Sequence, residues 1–320
     1  MYVIQADNVT DGLCKAVDFM KEEAVRSTSR AGDVLVSPVP VTVAYMSPCE
    51  RVLFDPVRDA NPYFHFMEGL WMIAGRNDVD WISQFSQNIS QFSDDGSTFH
   101  GAYGHRWRNH FDFDQLDLIV SLLQNDPNNR RIVLQMWDPT EDIARDGKDF
   151  PCNTNIYFRV VNGKLDMTVC CRSNDMVWGT FGANAVHMSM LLEYMASSIG
   201  VGVGTYYQVS NNFHAYLDTW SKVQHLKEDP FFFCQPEGVK SFPMMNKGRD
   251  NWDRELSMFM SDGDSVMGYR DPFFKRVAAP MLSSWGAWKD KDITKALMFA
   301  NSIAATDWIK ACTEWLERRT

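Results

Sequence analysis

Apolar residues along this chain recur first at helical spacing, then in alternation, then again at helical spacing, with no fixed rhythm between the two. Leu13, Val17 and Met20 share one face of a helix expected over about residues 11–26. The Val-rich stretch 33–46 reads as extended, with Pro38 and Pro40 marking an edge or bend. Asn61-Pro62 opens a helix, since Asn caps a first turn and Pro suits its first position; the apolar run YFHFMEGLWMIA follows and should stop near Gly75. Residues 115–124 predict another helix, ended by NDPNN, and residues 131–137 a buried strand. The clearest local signal is IYFRVV and KLDMTVCCR around Asn162-Gly163, the favoured two-residue turn of a β-hairpin. A long apolar helix over 183–198, a strand over 205–209 and a helix over about 293–318 complete the pattern. Strands and helices mix without a regular βαβ alternation, which predicts an α+β fold rather than a doubly wound sheet.

Charge narrows the partners. Thirty-one basic and 41 acidic side chains leave a net charge of −10, a poor match to an extended polyanion, so nucleic acid is not expected as a partner. A small anion would have to be held by a few local cations against an unfavourable field. No apolar run reaches membrane-spanning length, and MYVIQADNVTD does not resemble a leader, so no membrane association and a cytoplasmic location are expected. Seven cysteines, including Cys49, Cys234 and Cys312, are widely spread with no C-x-x-C pair, as small buried hydrophobes of a reducing compartment would be.

Several motifs fail on inspection. Gly200, Gly202 and Gly204 lack the spacing of a dinucleotide loop and read as a plain turn. There is no phosphate loop of the nucleotide-kinase type, and the seven histidines form no ligand cluster, so no metal is expected. Adjacent Cys170 and Cys171 must point to opposite faces of their strand.

Cys152, in KDFPCNTN, is different. It follows a proline where the chain enters the hairpin, and Arg172-Ser173-Asn174-Asp175 closes the same end. A cysteine beside a cation is expected to gain thiolate character and become a better nucleophile. Arg172 and Ser173 also suit a phosphate. The residues alone leave a buried loop cysteine beside a solvated charge cluster as the plainer alternative.

The ordered motifs PCN, CCRSNDMVWG, GANAVH and SNNFHAY resemble the core of the thymidylate synthase family. Upstream, MEGLWMIAGRND, HGAYGHRWR and NDPNNRRIVLQMW match the family's other segments in order, so the likeness spans about residues 61–220 and leaves 221–320 divergent. The resemblance implies one domain over residues 1–320, a mixed sheet packed by helices, and a sheet-to-sheet homodimer. It implies that Cys152 attacks C6 of a pyrimidine nucleoside monophosphate and that 5,10-methylenetetrahydrofolate is the co-substrate. Glu68 would organise water and protons, and Tyr103 would assist proton removal at C5. Arg172 and Ser173 would bind the 5′-phosphate, with Arg130 and Arg131 reaching in from a second subunit and Arg30 as a mobile-loop arginine. His214 and Tyr216 would meet the sugar hydroxyl, Asp175 the folate pterin, and Asn184 the base.

Departures from the family pattern bear on the reaction. Asn153 stands where synthases place His after the nucleophile, and CNTN and RSNDMVWG resemble the viral deoxycytidylate hydroxymethylase branch. Ile89 replaces a tryptophan that shields the exocyclic methylene in synthases, a loss that would admit water. The synthases' closing C-terminal tail is not recognisable in ACTEWLERRT. The expectation is therefore C5 hydroxymethylation, of the kind that supplies modified DNA precursors to a virus, with reductive methylation of dUMP as the alternative. Asn184 falls five residues after Gly179 instead of the family's four, so an inserted residue is expected. A carboxamide reads uracil or cytosine depending on how it is flipped, and the hydroxymethylase likeness tilts the choice slightly toward cytosine.

Overall fold

The architecture is built around one strand that the apolar pattern undersold. In the computed structural model, which describes residues 1–86, 88–227, 238–245, 248–262 and 268–320, the strand expected over 205–209 runs fifteen residues. In chain order the strands are β1 Tyr2–Ala6, β2 Val25–Ser29, β3 Gly32–Val36, β4 Val41–Tyr45, β5 Val133–Gln135, β6 Asn153–Val161, β7 Lys164–Asp175 and β8 Gly202–Tyr216. They form one mixed sheet in the order β1-β4-β8-β7-β6-β5, with β3 joined to the far end of β8 and β2 to β3. β8 pairs parallel with β7 and antiparallel with β4 and β3, so it is hydrogen-bonded on both edges. Parallel and antiparallel pairs coexist with packed helices, as an α+β domain requires.

Three helices explain the packing: α1 Val9–Glu23, α2 Pro62–Ile73 and α3 Asn184–Ile199. α3 lies across β7 and β8 and packs against α2. Nearly all its positions are buried, which is why its sequence is apolar all round rather than along one stripe. Met188, Leu191, Leu192 and Met195 there meet Phe66 and Leu70 of α2 in one core. Truncating any of these to alanine would cost about 2–5 kcal/mol. Asn61 caps α2 through Phe64 N–H, Pro62 starts it, and Gly75 has φ +73, as its sequence predicts. Asn162 and Gly163 both have positive φ, the turn that matches strand twist in a two-residue hairpin.

Several boundaries differ from expectation. α1 begins at Val9, where Asn8 caps the amides of Thr10 and Asp11, and ends at Glu23, because the chain from Val25 is recruited into pairing with β3. The expected strand 131–137 is only Val133–Gln135 and lies at the sheet edge with Val133 44% exposed; only Leu134 of β5 is buried. Gly202 and Gly204 belong to β8 instead of a turn: Gly204 packs on the Leu165 carbonyl so closely that a Cβ would collide with it. The single helix expected over 293–318 is two, Ile293–Asn301 and Thr306–Glu317. Strand β1 and the helices Arg249–Asp262 and Ala279–Lys289 carried no sequence signal strong enough to be read. Cys171 and Cys312 are buried as expected, while Cys234 lies outside the described residues. Among the described residues, no helix is long and apolar enough to cross a membrane.

Candidate active site

The hairpin's open end carries Cys152, the expected nucleophile. The N–H of Arg172 donates to the Cys152 carbonyl at 2.9 Å, and the Arg172 guanidinium donates to the Pro151 carbonyl at 3.0 Å while lying 5.5 Å from the Trp137 ring. Antiparallel pairing of β6 with β7 therefore does bring 152 and 172 together. The expected thiolate character does not follow. Burial pushes the Cys152 thiol up; Arg172 pulls it down, but less, and Asp149 adds to the rise. Asp149 accepts the Gly101 N–H at 2.8 Å, and burial holds its own carboxyl up as well.

Tyr103 joins this loop directly. Its hydroxyl oxygen accepts the backbone N–H groups of Cys152 at 3.2 Å and Asn153 at 3.3 Å. With the oxygen occupied by two donors, the hydroxyl hydrogen is left to be donated elsewhere. Burial keeps the phenol protonated well beyond its usual range. Tyr103, Glu68, Ile89, Asp149 and Phe150 line one open cleft. Glu68 projects from α2, and its Oε2 lies 3.0 Å from His187 Nε2 of α3, although the approach lacks hydrogen-bond geometry. His187 meets His65 edge-on, and burial, with Arg58 and His187 adding to it, keeps His65 neutral.

Asn184 reaches Asn153 and Asn174. Its Oδ1 accepts from Asn153 at 3.3 Å, and its Nδ2 donates to Asn174 at 3.1 Å. The segment before it, Met176–Ala183, forms a π-type turn, in which the Asn184 N–H donates to the carbonyl of Gly179, five residues back rather than four.

Asp175, His214 and Tyr216 assemble through the parallel β7–β8 register. Asp175 stands opposite His214, whose Nδ1 lies 3.0 Å from Asn212 Oδ1 and whose ring meets Tyr216 at 5.4 Å. Ser173 is the neighbouring partner of Asn212 in the same ladder. Asp175 Oδ1 accepts the Trp178 N–H at 2.5 Å; Oδ2 is buried without a partner, and burial pushes this carboxyl up. Arg30 sits in the turn between β2 and β3 and donates to the Gly147 carbonyl at 2.9 Å, so it does reach the loop that leads to Cys152.

Arg130 and Arg131 do not join the others. β5 runs antiparallel to β6 with Val133 opposite Tyr157, so residues 130–131 lie toward the Asn162-Gly163 turn. At about 3.3 Å per residue, that is roughly 20 Å from Cys152. Both are exposed, and neither guanidinium has a partner among the described residues.

Sequence reasoning missed Arg58. Its guanidinium covers the Trp178 ring at 4.1 Å and donates through Nε to the Val177 carbonyl at 2.9 Å, while Nη2 is buried without a partner. Burial brings this arginine down to about 10 against the pull of Asp175 and Asp59. A lone Arg in DPVRDANP offers no pattern by which to find it. Tertiary packing brings ligand atoms of His110, Asp138 and Glu141 within 4.8 Å of one another, a partly exposed acidic grouping of a kind common without a metal. These three sit at the start of the short helix Pro139–Asp142, where Asp138 caps Thr140 and contacts His110 at 3.1 Å.

A cysteine in an arginine-clamped hairpin, a phenol hydrogen-bonded to the same loop, and a carboxylate on the cleft wall that the phenol shares make up the candidate active site. The chain belongs to the thymidylate synthase family and is a one-carbon transferase: the thymidylate synthase family model matches residues 58–237. It is 47% identical across its full length to the deoxyuridylate hydroxymethyltransferase of Pseudomonas phage M6, covering 95% of that protein. It is 42% identical to the protein of that name from Bacillus phage SP01 over 57% of this chain and 50% of the relative, and 31% identical to that of Delftia phage PhiW-14 over 50% and 47%. The chain thus spans about half the length of these last two relatives.

Proposed function

We propose that this protein hydroxymethylates C5 of deoxyuridine 5′-monophosphate, with 5,10-methylenetetrahydrofolate as one-carbon donor. The observation that carries the reading is Ile89. It lies on the wall of the cleft shared by Glu68 and Tyr103, and a branched aliphatic side chain there leaves room for water that an indole would exclude. The relatives' names favour uracil over the cytosine toward which the CNTN and RSND likeness leaned.

Cys152 adds through sulfur to C6, which makes C5 nucleophilic. The folate, when bound, supplies an electrophilic methylene to C5. Tyr103, whose oxygen is held by two backbone donors, would relay the C5 proton. Glu68 on the same wall orients the water whose oxygen becomes the hydroxyl. Departure of Cys152 restores the 5,6 double bond, and the folate leaves as tetrahydrofolate, neither oxidised nor reduced. Asp175 Oδ2 and Arg58 Nη2, both buried without partners, fit the polar edge of a pteridine; these two would hold it beside Trp178. His214 and Tyr216 would meet the sugar hydroxyl, and Asn184 the base. Arg172 and Ser173, with Arg30 reaching the loop that leads to Cys152, would hold the phosphate from one chain. The distance of Arg130 and Arg131 from their own Cys152 supports a homodimer in which each chain lends them to the other.

The test is product mass after incubation with 5,10-methylenetetrahydrofolate and dUMP or dCMP. Hydroxymethyl-dUMP with no dihydrofolate formed is expected. A methylated product with stoichiometric dihydrofolate would identify a synthase instead.

A further inference from the structure

Behind Asn184 runs a continuous chain of polar side chains, none of which the mechanism uses. The Tyr206 hydroxyl donates to Gln208 Oε1; Gln208 Nε2 donates to Asn153 Oδ1 at 3.1 Å. Asn153 Nδ2 donates to Asn184 Oδ1 at 3.3 Å, Asn184 Nδ2 to Asn174 Oδ1 at 3.1 Å, and Asn174 Nδ2 to Ser210 Oγ at 3.0 Å. Tyr206, Gln208, Asn153, Asn174 and Ser210 are 0–3% exposed; Asn184 alone, at 7%, approaches the surface of the site.

Each carboxamide has one accepting and one donating end. Turning a single member over would set oxygen against oxygen and nitrogen against nitrogen in a buried space, where unsatisfied polar groups are costly. The chain therefore has two consistent polarities, all forward or all reversed. Asn153 decides between them: its Oδ1 also receives the Cys171 thiol at 2.6 Å, so two donors hold that oxygen away from Asn184. Uracil presents an acceptor at C4 and a donor at N3, and cytosine the opposite order, so the two bases require opposite orientations of Asn184.

We infer that Asn153 and Gln208 are positioning residues that select the pyrimidine by fixing the polarity of Asn184. This rests on the reading above that Asn184 faces the base. The sequence departure at Asn153 then has a purpose: it is the point at which the direction of the whole chain is set.

The experiment compares dUMP with dCMP, by calorimetric Kd and by kcat/KM for tritium release from C5. In Asn153→Asp the residue only accepts, and three donors around it favour the ionised form. Asn184 must then present nitrogen to it, Asn174 reverses, and Ser210 donates. The dUMP:dCMP ratio should fall at least tenfold. Gln208→Met removes one of the two locks and should move the ratio toward unity without reversing it. Folded variants of both kinds that keep the parent ratio would overturn the inference. Asn184→Asp separates the two levels. If it shifts the ratio while the other two do not, the relay alone fails. If it leaves the ratio unchanged, the base-reading assignment fails with it.

Discussion

The backbone of Arg172 holds Cys152 through its carbonyl at 2.9 Å, while the Arg172 charge opposes a burial effect that it does not overcome. Thiol and cation are thus coupled geometrically more than electrostatically. Because Arg172 lowers the Cys152 thiol and Asp149 raises it, removing each should move the thiol in opposite directions. Alkylation of Cys152 by iodoacetamide, followed by peptide mass mapping at fixed neutral pH, should slow by roughly threefold to tenfold in Arg172→Gln and accelerate in Asp149→Asn. Shifts of the same sign in both variants would refute this account.

Gly179 has no room for a methyl group. A Cβ there would collide with Asn174 Oδ1 and approach Asn184 Nδ2 to 3.3 Å. Gly179→Ala should therefore part Asn174 from Asn184, lower kcat/KM for the nucleotide at least about tenfold, and lower the thermal midpoint because two buried amides lose their partner. Unimpaired turnover would show that the Asn174–Asn184 link does not matter.

Ile89→Trp refills the cleft wall beside Glu68 and Tyr103. If water enters past Ile89, the variant should lose hydroxymethyl turnover by about an order of magnitude, measured by mass analysis of product over time. Parent-like turnover would remove Ile89 from the argument.

The shared-site model makes a prediction that no monomeric enzyme can satisfy. Cys152→Ala and Arg131→Ala should each be inactive alone. After denaturation, mixing and refolding, half the dimers should be hybrids with one intact site, restoring roughly a quarter of parental activity. No recovery in a mixture shown to contain hybrids would place Arg131 outside the site.

Stability should carry the signature of one buried carboxyl. Asp307 is 1% exposed near the buried Arg51–Glu193 pair, and burial raises it to about 7. A folded-state value above the unfolded one means the native protein binds the extra proton between about pH 4 and 7. This contribution is therefore fully present below pH 4, falls as pH rises and is gone above 7, a change on the order of 4 kcal/mol. Asp307→Asn keeps an acceptor for the Trp308 N–H, now at 2.8 Å. Urea melts from pH 4 to 8 should show the variant gaining stability relative to the parent as pH rises; a constant difference would contradict the assignment.

Local chemistry made much of this protein legible from its residues. The Asn61-Pro62 helix start, the Asn162-Gly163 turn and the apolar run of α3 are each specified by neighbours within a few positions, and each is found where the pattern placed it. Cys152 and Arg172 could be paired because a hairpin's two ends follow from its turn. What the sequence could not determine depends on contacts between distant segments. The true length of β8 is set by β7 along one edge and by β4 and β3 along the other, the latter two joining it from more than 160 residues away. The net rise of the Cys152 thiol follows from how deeply packing buries it, which no neighbouring residue encodes. Arg58 over Trp178, and the line from Tyr206 through Asn153 to Ser210, exist only because separate strands and turns converge. Backbone preferences act over one turn of chain and can be read in order; burial and donor–acceptor direction are properties of the assembled interior, and only the tertiary structure decides them.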